Sequence, residues 1–149
     1  MKTKLKQLPL KEFNRVYGKV PRLCVDLVVK TKNGVILSKR DIKPSKGMWH
    51  IPGGTVLFGE KLSEAISRVA EEELGLKLEI IKLLGTTEFL PPTSPHAHAV
   101  SIAFLTKPIA GKLRGSSQGR EVRYFKQAPL NTIKEQEKFL TIHKFFKKS

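Results

Sequence analysis

Cysteine and long apolar runs are nearly absent from this sequence. Cys24 is the only cysteine, which excludes a disulfide framework and a cysteine-based zinc site. The longest apolar stretches, residues 23–29 and 99–105, are too short to cross a bilayer. Residues 1–10 alternate lysine with apolar side chains and lack the apolar core of a signal peptide. We therefore expect a cytoplasmic protein without membrane association.

Acidic residues are also scarce. Thirteen Asp and Glu residues stand against 28 Lys and Arg, which gives a formal net charge of +15. Such a field attracts polyanions such as nucleotides, RNA or an anionic membrane surface. A solubilising lysine coat is the favoured explanation, because the clusters that bear on it lie at the chain ends, where charge runs are usually solvated: Lys2, Lys4, Lys6 and Lys11, and Lys144, Lys147 and Lys148.

Length and composition predict one folded domain over residues 1–149. The chain is 40% hydrophobic, which suffices for one core, and no repeat, low-complexity tract or linker divides it. Asn33-Gly34 predicts a hairpin turn. The strand and helix patterns indicate an α/β fold with a mixed β-sheet between helices. We expect an N-terminal arm or helix within 1–20 and a C-terminal helix within 132–149. The predicted strands are 22–31, 35–39, 49–51, 78–84, 99–105 and 121–125, and the predicted helices are 9–17, 60–74 and 132–148.

The helix predicted over residues 60–74 carries carboxylates in unusual places. Glu64 and Glu71 fall on its polar side, but Glu73 falls inside the apolar face and Glu72 at its margin. A carboxylate in a core is costly unless it is paired or bound to a cation. An ordinary helix with surface ion pairs is the alternative, but two adjacent carboxylates of this kind make a hard oxygen site that suits Mg²⁺. The apolar face consists of Leu62, Ala65, Ile66, Val69, Ala70 and Leu74.

Two further features surround these carboxylates. Gly53 and Gly54 follow a predicted strand, where glycine lets the main chain approach a ligand closely. A main-chain carbonyl freed there could become a metal ligand. A plain tight turn would explain the glycines but not their distance from the helix carboxylates. Arg68 lies one turn before Glu72 and is expected to pair with it or with Glu64.

The spacing of these residues resembles the signature of the Nudix hydrolase family. The resemblance implies a Nudix-type α/β/α sandwich and a hydrolase that depends on Mg²⁺, with Mn²⁺ as the alternative ion. Val69 departs from the signature, because typical Nudix pyrophosphohydrolases have a metal-binding glutamate at that position. The positions in register are Gly54, Glu60, Arg68, Ala70, Glu72, Glu73, Gly75 and Leu76.

One branch of the family, the GDP-mannose mannosyl hydrolases, also lacks that glutamate. Those enzymes use one Mg²⁺ and cleave the sugar–phosphate bond by attack at the sugar carbon. The similarity of this sequence to the branch extends over roughly residues 10–126. It implies Mg²⁺ on the Gly53 carbonyl, Glu73 and Gln118, with Glu72 beside them. It also implies Asp26 and Arg40 near the leaving nucleotide and Arg68 near the leaving phosphate.

The general base and the sugar contacts of that branch are not matched. Gly119 stands where the branch has a catalytic histidine, and Thr55 and Ala99 replace a binding arginine and a binding tyrosine. Glu121 lies in a stretch that resembles the late glutamate-containing strand of other Nudix enzymes. It is therefore the first candidate for the general base. His96 and His98 follow, since the loop over residues 88–98 could close over the site, and His98 is also a candidate for substrate binding.

The sequence therefore predicts a hydrolase of a nucleoside diphosphate linked to a second group, with Arg68, Glu72 and Glu121 as catalytic residues. A nucleotide sugar such as GDP-mannose, cleaved at the sugar–phosphate bond, is the favoured substrate. One alternative is a conventional Nudix pyrophosphohydrolase acting on nucleoside triphosphates or nucleotide sugars. Another is a Nudix-fold module that binds RNA or nucleotides without catalysis, which is not favoured because a binder needs no metal cluster. The C-terminal helix is expected to pack on the domain or to form a homodimer contact.

Overall fold

The computed structural model describes residues 7–42, 45–91 and 98–147. None of the helices in these ranges is long and apolar enough to span a membrane. The elements follow one another in the order α1 (Leu10–Tyr17), β1 (Arg22–Thr31), β2 (Gly34–Lys39), β3 (Trp49–His50), β4 (Gly53–Thr55), α2 (Leu62–Leu74), β5 (Leu76–Phe89), β6 (Ala99–Gly111), β7 (Glu121–Phe125) and α3 (Lys134–Ile142).

The strands form one mixed sheet in the order β3-β2-β1-β6-β5, with β4 and β7 as additional neighbours of β1 and β2. β1 runs parallel to β6 along most of its length and antiparallel to its other partners. On the side away from β6, β1 changes partner. Residues 24–26 pair with β4, and residues 30–31 pair with β2. The sheet therefore forks along β1, and Gly53 stands at the fork, opposite Asp26.

Alternating side chains of β1 point to opposite faces of the sheet and build two cores. Val25 and Leu27 pack in one buried cluster with the apolar face of α2. Val28 packs in the other cluster with Phe139 and Leu140 of α3. The sheet thus lies between two helices, and the predicted α/β/α sandwich with a mixed sheet is confirmed.

Helix α2 begins later than the sequence predicts, and β4 was not predicted. The helix starts at Leu62 instead of residue 60, because the Glu60 side chain accepts the Leu57 N–H at 3.0 Å and closes the preceding turn. β4 has only three residues, two of them glycine, and its pattern is that of a turn. Its pairing with β1 is what makes it a strand.

The C-terminal helix is shorter than the predicted span of residues 132–148. It ends at Ile142, and Lys144 then adopts a positive φ of 64°. This turn lets Phe146 fold back into the core beneath α3, where it is 3% exposed. Burial of one aromatic ring therefore outweighs continuation of the helix. The apolar stripe of α3 packs on the domain, which was one of the two predicted alternatives.

Helix α1 contacts the start of β1 without contributing a fully buried residue. The Phe13 and Tyr17 rings pack edge to face with centroids 4.8 Å apart. The Arg22 guanidinium lies 5.6 Å from the centroid of Phe13, a cation–π distance. Leu10 stays largely exposed. The helix is therefore attached through its aromatic side and presents its other side to solvent.

Candidate active site

Arg68 of α2 is held by a glutamate that lies outside the helix. Its Nε and Nη2 donate to the Glu60 carboxylate at 2.8 and 3.1 Å, and Nη2 also donates to the Thr55 carbonyl at 2.8 Å. The Glu60 side chain is only 2% exposed. Burial raises the pKa of Glu60, but Arg68 and the Leu57 N–H together bring that pKa below its usual range. These bonds tie α2 to β4.

Of the two alternative partners predicted for Arg68, Glu72 is confirmed and Glu64 is not. Arg68 Nη1 donates to Glu72 at 3.2 Å. Glu64 instead accepts the Lys61 N–H at the start of the helix and does not contact Arg68. The role of Glu60 was missed, although the sequence held a signal for it. Glu60 is in register with the signature and lies just before the helix, where its carboxylate can accept hydrogen bonds from a side chain of the helix such as Arg68.

Glu73 faces the loop that precedes β7. The Ser116 hydroxyl donates to Glu73 Oε2 at 2.7 Å, and the N–H groups of Gln118 and Gly119 approach the Ser116 hydroxyl oxygen at 3.3 Å. Glu73 is half-buried, whereas Glu72 is exposed. The helical wheel gave this order of burial. It gave no indication of Ser116, because a loop serine belongs to no periodic pattern.

Val69 occupies a fully buried position against the paired glycines. It is 1% exposed, and its Cγ2 lies 3.0 Å from the place where a Cβ on Gly54 would stand. A Cβ on Gly53 would overlap the Asp26 carboxylate and the Val25 carbonyl oxygen. Glycine is therefore required at position 53, and at position 54 it fits closely against Val69, because β4 is packed tightly between β1 and α2. Val69 supplies packing where the signature has a carboxylate.

Arg40 is half-buried, and the charges of Arg22 and Glu73 act on it in opposite directions. Burial lowers the pKa of the Arg40 guanidinium, Arg22 lowers it further, and Glu73 opposes both effects. Burial also lowers the pKa of His50 to about 4, with the Arg40 charge as the second cause. His50 Nδ1 lies 2.8 Å from the Ile51 carbonyl oxygen, which can only accept, so the proton of the neutral ring is on Nδ1. His50 is thus a neutral imidazole near a half-buried cation, and no pattern in the sequence pointed to it.

Asp26 lies on the face of β1 opposite α2 and is 4% exposed. Burial raises its pKa to about 7, although the Ser101 hydroxyl and Arg22 lower it. Within the described residues, Asp26 Oδ2, Arg22 Nε and Thr87 Oγ1 are buried without a hydrogen-bond partner. Ser101 pairs with Cys24 of β1 on one side and with Thr87 of β5 on the other. The three unsatisfied atoms therefore belong to one polar face across β1, β6 and β5.

The remaining predicted residues lie at the edges of the site. Glu121 begins β7 opposite Lys39, and its carboxylate accepts from Arg123 at 2.8 Å. His98 precedes β6, and its carbonyl accepts the Arg22 N–H at 2.8 Å. His96 lies outside the described residues. The backbone of Gln118 thus adjoins Glu73 through Ser116, whereas Asp26 and His98 lie near Arg22.

The oxygen donors near Glu73 are few. In residues 7–42, 45–91 and 98–147, no group of three or more His, Cys, Asp and Glu residues is placed to hold a metal ion. Mg²⁺ needs fewer, because it accepts one or two carboxylates and completes its coordination with water and substrate phosphates. Glu73 suits this role best, since Glu72 is engaged by Arg68, and Gln118 adjoins Glu73 through Ser116. The residues present therefore fit Mg²⁺ together with a phosphorylated substrate.

The fold and the site define a class: an α/β/α sandwich whose acidic helix is bound by an arginine to a glycine-rich strand. The family model for the NUDIX domain matches residues 20–147. The chain belongs to the Nudix hydrolase family.

Two curated relatives support this membership. The chain is 35% identical over 121 residues to an ADP-ribose pyrophosphatase from Methanocaldococcus jannaschii, covering 81% of this chain and 70% of the relative. It is 42% identical over 88 residues to the low-salt glycan biosynthesis protein Agl8 from Haloferax volcanii, covering 59% of this chain and 56% of that relative. The match therefore spans little more than half the length of the second relative.

A solved structure agrees with the fold. The MutT NUDIX hydrolase from Burkholderia pseudomallei aligns with a TM-score of 0.74 at 26% identity, covering 81% of this chain and 96% of that one.

Proposed function

We propose that this protein is a Mg²⁺-dependent hydrolase of nucleoside diphosphates linked to a second group, with nucleotide sugars such as GDP-mannose as leading substrates. The observation that carries the proposal is the half-buried Glu73 carboxylate, which receives a hydrogen bond from the neutral Ser116 hydroxyl and lies near Arg40. Such a carboxylate, set among cations that suit phosphate, is well placed to hold a divalent ion. The relatives named for ADP-ribose and for glycan biosynthesis support a nucleotide-linked sugar.

The proposed metal site uses residues from three elements. Glu73, Gln118 and the main-chain carbonyl of Gly53 would hold Mg²⁺, with Glu72 at the margin. The ion, when bound, would neutralise phosphate charge. Arg40 would add charge-assisted hydrogen bonds to the phosphates.

Asp26 is proposed to bind the nucleoside or the sugar. Buried polar atoms are normally hydrogen-bonded, and Asp26 Oδ2, Arg22 Nε and Thr87 Oγ1 have no partner in the described chain. A group rich in hydroxyls, or the edge of a base, supplies both the donors and the acceptors that these atoms need. His98, next to Arg22, is the further substrate-binding candidate on this side.

Arg68 is proposed to position the site more than to bind substrate. A guanidinium has five N–H donors, and four hydrogen bonds from Arg68 go to Glu60, Glu72 and the Thr55 carbonyl. This leaves one N–H, on Nη1, for a phosphate oxygen. Its main effect would therefore be to fix α2, and with it Glu73, relative to Gly53.

Glu121 remains the candidate general base. It lies in the same cleft as Arg40, so it would be near a water that attacks the sugar carbon next to the diphosphate. Its carboxylate is held by Arg123 at 2.8 Å, which orients it. The outer oxygen would accept a proton from the attacking water.

Val69 bears on which bond is cleaved. A valine at this position leaves the site with one carboxylate fewer than the signature, which favours a single Mg²⁺ and a diphosphate leaving group. Attack would then fall on the sugar carbon and release a nucleoside diphosphate and a free sugar. A conventional pyrophosphohydrolase is the second candidate, because the relative that aligns over 81% of this chain is named an ADP-ribose pyrophosphatase.

The test is hydrolysis of GDP-mannose, ADP-ribose and nucleoside triphosphates with Mg²⁺ in ¹⁸O-labelled water. Label in the sugar is expected for carbon attack. Label in phosphate would refute carbon attack and establish the pyrophosphohydrolase reaction. If no nucleotide is hydrolysed and RNA binds with a steep salt dependence and no metal dependence, the hydrolase proposal is wrong and a binding module takes its place.

A further inference from the structure

An open cleft of about 420 Å³ adjoins the candidate active site, between the loop after β2 and the start of β7. Arg40 lines the cleft, and the loop before β7 connects the cleft to Glu73 through hydrogen bonds. The cleft is therefore an extension of the site. Its lining consists of Lys39, Arg40, Asp41, Lys46, Gly47, Arg120 and Glu121.

The loop before β7 joins Glu73 to this cleft. Ser116, near the start of the loop, donates to Glu73 at 2.7 Å. Two residues later, the Gln118 carbonyl accepts the N–H of Asp41 at 2.9 Å, which brings the loop to the wall of the cleft. A ligand that spans from Glu73 to the cleft would follow this loop.

The end of the loop is packed tightly, and this fixes Arg120 at the cleft. Gly119 is buried, and a Cβ there would overlap the Ser38 hydroxyl. The next residue, Arg120, has its Nε 3.5 Å from Asp41 Oδ2. Its backbone position is thus set by glycine packing, while its guanidinium is mostly exposed and able to reorient toward a ligand.

The charges that line the cleft do not cancel. Four cationic side chains stand against two carboxylates. Asp41 is shared with Arg120, and Glu121 accepts from Arg123, a further cation that lies outside the lining. A concave surface with charges of one sign in excess focuses the field and raises the local concentration of counter-ions. Its chemistry therefore suits an anion.

We infer that this cleft binds an anionic group that the substrate carries in addition to its diphosphate: the carboxylate of a sugar acid or a further phosphate. The inference rests on the proposed function, because the diphosphate is taken to lie at Glu73 and Arg40. Lys46 and Arg120 then remain for the next anion along the substrate. Without such an anion, the positive charge beyond Arg40 has no counterpart in the substrate.

The first experiment measures binding without turnover. Calorimetric titrations with inorganic pyrophosphate and tripolyphosphate, at one ionic strength, compare the native protein with the double variant Lys46→Gln, Arg120→Gln. The control is Lys77→Gln, Lys82→Gln, which removes the same charge from exposed positions on β5. We expect the native protein and the control to bind tripolyphosphate about tenfold more tightly than pyrophosphate, the difference expected for two partly exposed charge-assisted contacts. The cleft variant should lose that preference.

The second experiment identifies the source of the anion. UDP-glucuronic acid and UDP-glucose differ by one carboxylate, and their affinities are compared in the same three proteins. If only the cleft variant loses a preference for UDP-glucuronic acid over UDP-glucose, the site binds a sugar carboxylate. If the cleft variant loses only the preference for tripolyphosphate over pyrophosphate, the site binds a phosphate. The inference is overturned if the native protein has neither preference, or if the control variant loses the preference as fully as the cleft variant. It is also overturned if the cleft variant loses as much affinity for an oligoribonucleotide as for tripolyphosphate. Selective binding without hydrolysis of any nucleotide would count against the proposed function and leave the cleft assignment standing.

Discussion

Glu60, which lies outside α2, holds the Arg68 guanidinium with two hydrogen bonds, whereas Glu72 on the same helix holds it with one. The side chain of Glu60 is 2% exposed and that of Glu72 is 46% exposed. The same cation therefore has one partner shielded from water and one partner screened by it.

Replacing these two partners separates buried from exposed ion pairing. We expect Glu60→Gln to lower the free energy of unfolding by about 1–3 kcal/mol, because a shielded cation loses its counter-charge. Glu72→Gln should cost about 0.5 kcal/mol or less, since exposed pairs contribute little. Urea denaturation of both variants measures the difference. Equal losses would show that Glu60 is not the residue that fixes Arg68.

The assignment of Glu73 is tested by removing its charge alone. Glu73→Gln keeps the shape of the side chain, so the fold should be retained, while the Mg²⁺ concentration for half-maximal activity should rise by about tenfold or more because a carboxylate ligand is lost. Glu71→Gln on the same helix is the matched control, since Glu71 is exposed. Titration of Mg²⁺ in turnover assays provides the measurement. Unchanged Mg²⁺-dependent turnover in the Glu73→Gln variant contradicts the assignment.

Val69→Glu restores the carboxylate that the signature has at this position. The position is 1% exposed and packs against Gly54, so a charge there should lower the free energy of unfolding by about 3 kcal/mol in the absence of metal. Added Mg²⁺ should recover part of this loss if the new carboxylate reaches the ion. Val69→Leu serves as a control for packing without charge. A variant that is fully stable in chelator would show that Val69 is not a core residue.

The buried carboxyl of Asp26 should make stability depend on pH. Its pKa is raised to about 7 in the folded protein, against about 4 in an unfolded chain. Between these values the folded state retains a proton that the unfolded state has released. This group should therefore lower the free energy of unfolding as pH rises through this window, by at most about 1.4 kcal/mol per pH unit. His50, whose pKa is lowered to about 4 in the folded protein, should contribute a slope of the opposite sign between about pH 4 and 6.5.

Asp26→Asn should remove the falling contribution, because the amide does not titrate, so the free energy of unfolding of this variant should rise with pH relative to that of the native protein. Asp41→Asn, at an exposed position, should leave that contribution unchanged. Urea denaturation at a series of pH values, in chelator, supplies the comparison. A pH dependence in the Asp26→Asn variant that equals that of the native protein would assign the titration to another group.

The fold was predictable where a pattern repeats along the chain. β1 and β7 begin and end at the predicted residues, and β1 does so as a β-branched run with six consecutive buried residues. The apolar face of α2 was predicted because its residues recur at helical spacing. β4 was missed because three residues cannot show a period and its pairing depends on β1, which is distant in sequence. The end of α3 was missed because burial of Phe146 is a tertiary effect.

The candidate site was predictable where residue type and position alone indicate a chemical role. Glu73 was identified because a carboxylate on an apolar face is costly unless it is paired or binds a cation. The glycines were identified because they allow a ligand to approach the main chain closely. Glu60 and Ser116 were missed as partners, because hydrogen bonds between a loop and a helix follow from the path of the chain. The burial of His50 beside Arg40 depends on how β3 meets β2, and no local pattern records it.

The fork in β1 leaves the strand at the candidate site, β4, paired with β1 alone. Local opening of β4 would break this three-residue pairing and the Arg68–Thr55 hydrogen bond to α2, while the β1–β2 hairpin and the β1–β6 ladder stay intact. Its amides should therefore exchange with deuterium through local opening, at a lower free energy than those at the centre of β1. A ligand on the Gly53 carbonyl would slow that exchange selectively. Affinity at this site can thus be adjusted by mutations that alter the opening of β4 and leave the global unfolding transition where it was.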